Sequence, residues 1–205
     1  EEMYWKYGYD RYFDSFEHYY LLYQRRNLDL WAEYADGKVT KEELNRQRYL
    51  YPLEAVGAGD STLAKAYERD ALAMIPTKSK LMPHAREVLE YLSGKYNLYI
   101  LSNGFKELQS HKMRSSGIDE YFKKVVLSDD IGILKPWPEI FHFALSTTQS
   151  ELNNSLMIGD SWENDIVGAA GVGMHQVFYN LSGRTDLPFA PTYQITDLKD
   201  LFNFL

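Results

Sequence analysis

Apolar and polar positions follow two different rhythms along this chain. Up to about Thr77 the apolar positions recur at helical spacing. Phe16, Tyr19, Tyr20, Tyr23, Asn27, Leu30, Trp31 and Tyr34 follow a period near 3.6, which predicts an amphipathic helix over about 14–35. Asp36-Gly37 marks its end. Thr40-Lys41-Glu42-Glu43 has the form of a capping box, in which the threonine hydroxyl and the second glutamate close the first helical turn. The helix it starts is expected to stop near Pro52, because proline has no N–H for the helical ladder. Asp60 caps a third helix that runs to about Met74, and Pro76 closes the region.

From about Leu81 short apolar runs alternate with helical stretches. Strands are predicted at Asn97–Leu101, Lys124–Leu127, Leu156–Ile158 and Gln176–Tyr179, with a last edge strand at Thr192–Ile195. Helices are predicted from Phe105, over Pro138–Leu145, from Glu163 and from Asp197. Strands separated by helices imply βαβ units, hence an α/β fold with a parallel sheet and right-handed crossovers. The expected division is therefore a helical domain over 1–77 and an α/β domain over 78–205, joined through Ile75 to Met82.

Composition narrows the chemistry. The chain has 205 residues and no cysteine, so disulfides, thiolate catalysis and cysteine-ligated zinc are excluded within it. With 22 basic and 29 acidic side chains its net charge is −7, a poor match for a nucleic-acid polymer, whose phosphates reward a basic face. No apolar run approaches the roughly 20 residues of a membrane-spanning helix. The five histidines form no metal-spaced motif.

Ligands of open α/β sheets bind beyond the carboxyl ends of the strands, and three of those ends are chemically unusual here. Ser102-Asn103-Gly104 follows the first strand and opens a helix, so a hydroxyl, an amide and helical N–H groups gather where a phosphate oxygen could sit. By itself the same triplet suits a helix cap and a turn. Lys135 lies in Gly132-Ile133-Leu134-Lys135-Pro136-Trp137-Pro138, where two prolines restrict the backbone; a held ammonium can neutralise a phosphoryl group, and a lone loop lysine can equally be solvated. Gly159-Asp160-Ser161-Trp162-Glu163-Asn164-Asp165 places two carboxylates at a strand end with no basic residue between them. Such a pair suits Mg²⁺, although acids also favour any helix N-terminus. All three features in order, each at a strand end, argue for one phosphate site.

These segments resemble the haloacid dehalogenase (HAD) superfamily of phosphohydrolases. Leu101-Ser102-Asn103-Gly104 is similar to its second motif, Lys135-Pro136 to its third, and Gly159-Asp160-Ser161 through Asp165 to its fourth. Ser102-Asn103-Gly104-Phe105 and Lys135-Pro136-Trp137-Pro138-Glu139-Ile140-Phe141 look closest to the pyrimidine 5′-nucleotidase branch. The resemblance implies a Rossmannoid parallel sheet with helices on both faces, and makes the helical region a cap domain. It implies that Ser102, helped by Asn103 and Gly104, binds the phosphoryl oxygens and that Lys135 offsets their charge. It implies that Asp160 ligates Mg²⁺ and that Asp165 ligates it or holds its waters. The expected substrates are small phosphomonoesters such as pyrimidine nucleoside 5′-monophosphates, cleaved through an aspartyl-phosphate by a cytoplasmic monomer or homodimer.

One element of the pattern has no counterpart. The family's first motif, a strand ending in Asp-x-Asp, supplies the nucleophile, and nothing before Ser102 matches it; Asp10 and Asp14 follow no apolar strand. Removing a central strand would strand the backbone groups of its two neighbours. The first core strand is accordingly expected N-terminal to residue 1. Two alternatives stay open: a metal-independent 2-haloacid dehalogenase, and a non-catalytic module that binds phosphate esters. In the helical region the stripe Tyr19, Tyr20, Tyr23 and Trp31 reads as bundle core, and Arg25 and Arg26 as solvated residues.

Overall fold

In the computed structural model, which describes residues 1–205, side-chain caps set the helix starts that the sequence marks. A short helix, α1 (Glu2–Lys6), comes first; nothing in its spacing announces it. Ser15 Oγ accepts from the His18 N–H at 3.1 Å and starts α2 (Phe16–Ala35). Thr40 Oγ1 accepts from the Glu43 N–H at 3.1 Å and starts α3 (Lys41–Ala55). Asp60 Oδ1 accepts from Thr62 and Leu63 at 3.0 and 2.9 Å and starts α4 (Ser61–Met74). These helices form a compact unit over Glu1–Thr77.

Aromatic rings fill its core. Tyr4, Tyr9, Phe13, Tyr19, Tyr49 and Tyr67 are all buried, and the Tyr9 and Tyr67 rings stack 4.7 Å apart. Of the aromatic stripe on α2, Tyr19 is at the centre and Tyr23 packs against it, whereas Tyr20 is 44% exposed. Proline does not end α3. Pro52 is buried inside the last turn, where its missing N–H removes only one late ladder bond, and burial of Pro52 and Leu53 carries the helix on to Ala55.

The second unit, Lys78–Leu205, is α/β. Helix α5 (Ala85–Ser93) leads into β1 (Leu98–Ser102), then α6 (Lys106–Ser116), β2 (Phe122–Leu127), α7 (Pro138–Thr148), β3 (Leu156–Gly159), α8 (Gly168–Gly171), β4 (His175–Tyr179) and β5 (Tyr193–Ile195). All pairings are parallel. The predicted strands are recovered with ends shifted by one or two residues.

The sheet, expected as one piece, is in two: β1 pairs with β2, and β3 with β4 and then β5. The two pieces share their packing. Leu98 of β1 joins Leu156 and Ile158 of β3 against Val88 and Leu92 of α5. On the other face, Leu101 joins Met157 against Ile140 and Phe141 of α7. The alternation of side chains along each strand thus gives both faces a helical cover.

Candidate active site

The three chemically unusual strand ends meet through hydrogen bonds. The Asn103 side chain clamps residue 135 from both sides. Its Oδ1 accepts from the Lys135 N–H at 2.8 Å, and its Nδ2 donates to the Lys135 carbonyl at 3.0 Å. An amide is suited to this task because it offers a donor and an acceptor side by side. The Asn103 side chain therefore holds the lysine segment.

The Lys135 side chain is buried, with 9% of its surface exposed. Its Nζ donates to the Leu101 carbonyl at 2.8 Å and to Asp165 Oδ1 at 2.6 Å. The ammonium is thus fixed at the carboxyl end of β1, against the residue before Ser102. A buried charge is tolerable only when paired and hydrogen-bonded, and both conditions hold. The sequence shows no basic residue near Asp165, and the fold brings one from 30 positions away.

Asp165 is engaged at both oxygens. Oδ1 meets Lys135, and Oδ2 accepts from the Ser161 N–H at 3.0 Å. Two features put it there. Residues Trp162–Val167 form a wide turn in which Ile166 N–H reaches the Ser161 carbonyl at 3.3 Å, in place of a regular helix from Glu163. Gly159 provides the space, since a Cβ at that position would lie 2.3 Å from Asp165 Oδ2. Asp160, by contrast, is exposed at the end of β3.

Ser102 Oγ accepts from the Gly104 N–H at 3.0 Å and from Gln109 Nε2 at 2.7 Å. Gln109, half-buried on α6, is a site neighbour that the sequence did not reveal. A local sign exists in hindsight: a Cβ at Gly104 would lie 2.2 Å from Gln109 Nε2. Lys106, the first residue of α6, donates its N–H to Asp129 Oδ2 at 3.1 Å, which ties the helix start to the segment after β2.

For Mg²⁺ the donor set is partial. No group of three histidine, aspartate or glutamate side chains capable of holding a metal occurs in the structure. Asp160 offers one exposed hard-oxygen ligand, and each oxygen of Asp165 already accepts one hydrogen bond, from Lys135 and from the Ser161 N–H. Mg²⁺ commonly takes one or two carboxylates and completes its shell with water and substrate oxygens, so Asp160 fits as one ligand. Asp10 and Asp14 are exposed, and neither lies on a strand; Asp14 Oδ2 is 3.5 Å from His18 Nδ1. Arg26 forms an ion pair with Glu33 at 2.7 Å within α2.

Known proteins share this arrangement of elements. The pyrimidine 5′-nucleotidase YjjG of Escherichia coli is 30% identical over 185 residues, covering 89% of this chain and 80% of YjjG. The magnesium-bound structure of the HAD-hydrolase YfnB of Bacillus subtilis matches with a TM-score of 0.86 at 26% identity, covering 99% of this chain and 89% of that one. A dehalogenase structure matches with a TM-score of 0.78 at 25% identity, covering 97% and 88%. The description of haloacid dehalogenase-like hydrolases matches residues 4–173, and no helix is long and apolar enough to cross a membrane. Sequence match and fold agree, and the chain belongs to the haloacid dehalogenase-like hydrolase family.

Proposed function

We propose that this hydrolase cleaves small phosphomonoesters, with pyrimidine nucleoside 5′-monophosphates as the first substrates to test. The observation that carries the reading is the buried Lys135 ammonium. It is held at the carboxyl end of β1 by the Leu101 carbonyl, Asp165 and the Asn103 clamp, and Ser102 is the next residue of that strand. A fixed cation and a hydroxyl donor suit the oxygens of a phosphoryl group, whose charge must be balanced throughout the transfer. The pyrimidine nucleotidase relative supports the substrate class.

In this reading Ser102 and the Gly104 region bind phosphoryl oxygens, Lys135 offsets their charge, and Asn103 with Asp165 keeps Lys135 in place. Asp160 would hold Mg²⁺, and Asp165 would act through the metal's waters. The metal, when bound, would supply Lewis-acid stabilisation of the phosphoryl charge. The nucleophile is an aspartate on a strand that pairs between β1 and β3; the support is that both strands leave an edge open while sharing one helical cover on each face.

A second reading comes from the dehalogenase structure, which is 25% identical to this chain. One assay separates the two. Full-length protein is given UMP, dUMP and dTMP with Mg²⁺, and separately an L-2-haloacid, each with and without EDTA. Phosphate release that EDTA abolishes is expected. Halide release insensitive to EDTA, without phosphate release, would replace the reading.

A further inference from the structure

A hydroxyl oxygen carries one hydrogen to donate and two lone pairs to accept with. At Ser102 both lone pairs are taken, by the Gly104 N–H and by Gln109 Nε2. The only capacity left is the O–H hydrogen, which no protein acceptor takes up in this network. We infer that Gln109 is a positioning residue that fixes Ser102 as a hydrogen-bond donor to an anionic oxygen. The inference rests on the phosphohydrolase reading for the identity of the anion; the polarity of the hydroxyl rests on the Gln109 amide turning its Nε2 toward Ser102 Oγ.

The local structure is built for this contact. Ser102 ends β1, and Gln109 lies seven residues on, in the first turns of α6. Its N–H is already in the helical ladder, donating to the Phe105 carbonyl at 3.0 Å, so the side chain is free to fold back. It crosses directly over Gly104, where a Cβ would lie 2.2 Å from Nε2 and 2.9 Å from Cγ. An alanine at 104 would evict it. The short 2.7 Å bond and the glycine beneath it together leave Gln109 one well-defined partner.

A free serine hydroxyl rotates and can present either a hydrogen or a lone pair to an incoming oxygen. Only the hydrogen attracts an anion. An amide N–H aimed at the oxygen removes the wrong rotamers before the ligand arrives, which is preorganisation rather than a new contact. Gln109 need never touch the substrate to have this effect.

The test is a double-mutant cycle on the full-length protein, read by calorimetric binding of sulfate, a tetrahedral dianion whose charge is constant from pH 5 to 8. Gln109→Met keeps length and removes the donor. It is expected to weaken sulfate binding on the order of fivefold when Ser102 is present, the loss of about one hydrogen bond. In a Ser102→Ala background the same change is expected to have no effect. Gln109→Glu adds a pH readout. Its carboxylate would accept the serine hydrogen and turn lone pairs toward the anion, so binding relative to wild type should recover as the carboxyl protonates, and this recovery should vanish with Ser102→Ala. Equal losses from Gln109→Met in both backgrounds would overturn the inference, as would no loss in either. So would a pH recovery that persists without Ser102, because plain charge repulsion explains that. Unchanged thermal midpoints across the set confirm that folding is intact. Wild-type protein that binds sulfate but releases no phosphate from UMP would sink the functional reading while the cycle still decides the role of Gln109; failure to bind sulfate would overturn the inference itself.

Discussion

A methyl group on residue 159 would land 2.3 Å from Asp165 Oδ2 and 2.4 Å from its Cβ and Cγ. The wide turn and the Ser161 N–H hold that carboxylate close to residue 159, so it can move away only by giving up its partners. Gly159→Ala is expected to destabilise the protein by about 1–3 kcal/mol through overpacking. It should also weaken anion binding, since Asp165 would leave Lys135. Denaturant unfolding and sulfate calorimetry read the two effects separately. The ion pair itself gives a sharper prediction. Asp165→Asn leaves the Lys135 ammonium buried with only carbonyl partners, at a cost of about 3–5 kcal/mol. Lys135→Met with Asp165→Leu, which removes both charges, should recover most of that loss in the same unfolding experiment. The identities of these residues were legible in the chain because each sits in a short segment between a strand and a helix, although Lys135 lies eight residues beyond the end of β2. Which atoms they engage was not. The Asn103–Lys135 and Lys135–Asp165 bonds close over 32 and 30 residues, and no local spacing encodes a contact at that range. Gln109 lies only seven residues from Ser102, but a glutamine on a helix does not show that its side chain folds back over the preceding turn.

Elements were most legible where a capping side chain marks a helix start, as at Thr40 and Asp60. They were least legible where tertiary packing overrides local preference. Pro52 continues a helix it was expected to end, and Trp162–Val167 widens into a turn that aims Asp165 back toward β3. Helix α1 had no signal because its anchor lies in α4. Asp70 there accepts from Lys6 Nζ at 2.7 Å and the Tyr7 hydroxyl at 2.7 Å, with Arg69 Nε at 2.8 Å on its other oxygen. Those hydrogen bonds, led by Arg69 and then Lys6 and Tyr7, hold the Asp70 carboxyl far below its ordinary range. The sign follows directly. A depressed folded-state pKa means that the anchor contributes above the unfolded value, about 3.9, and is lost as pH falls through the lower folded value. Asp70→Asn is therefore expected to lower the melting temperature at pH 7, and the gap from wild type should shrink steadily below about pH 4. A gap unchanged down to pH 2 would show that Asp70 acts by shape and not by charge.

At the scale of the molecule, the division of the α/β unit into parallel pieces bears most directly on function. Strands β1 and β3 are each paired on one side only, yet share hydrophobic neighbours on both faces. In a parallel ladder successive residues direct their backbone groups to alternate sides. Every second N–H of Leu98–Ser102 and of Leu156–Gly159 thus points toward the space between the two pieces. Parallel strands covered on both faces rarely leave such groups unpaired, because water reaches them poorly and each orphan is costly. The alternation of strand and helix made the fold class legible from the sequence, and the unmatched first motif led to the expectation of a further strand; that the open edges belong to β1 and β3 became visible only with the pairing of each piece. Hydrogen exchange on full-length protein tests whether a further strand fills it. With that strand in place, all amides of β1 and β3 are expected to be protected alike, as they would be inside a continuous sheet. An open edge would instead give a two-residue alternation, with fast exchange at every second amide of both strands. Continuous protection in a protein that also releases phosphate would place the nucleophile on the inserted strand, within reach of Ser102 and Lys135. Alternating exchange in a protein that binds sulfate without hydrolysing UMP would make this fold a module that holds phosphate esters and leaves them intact.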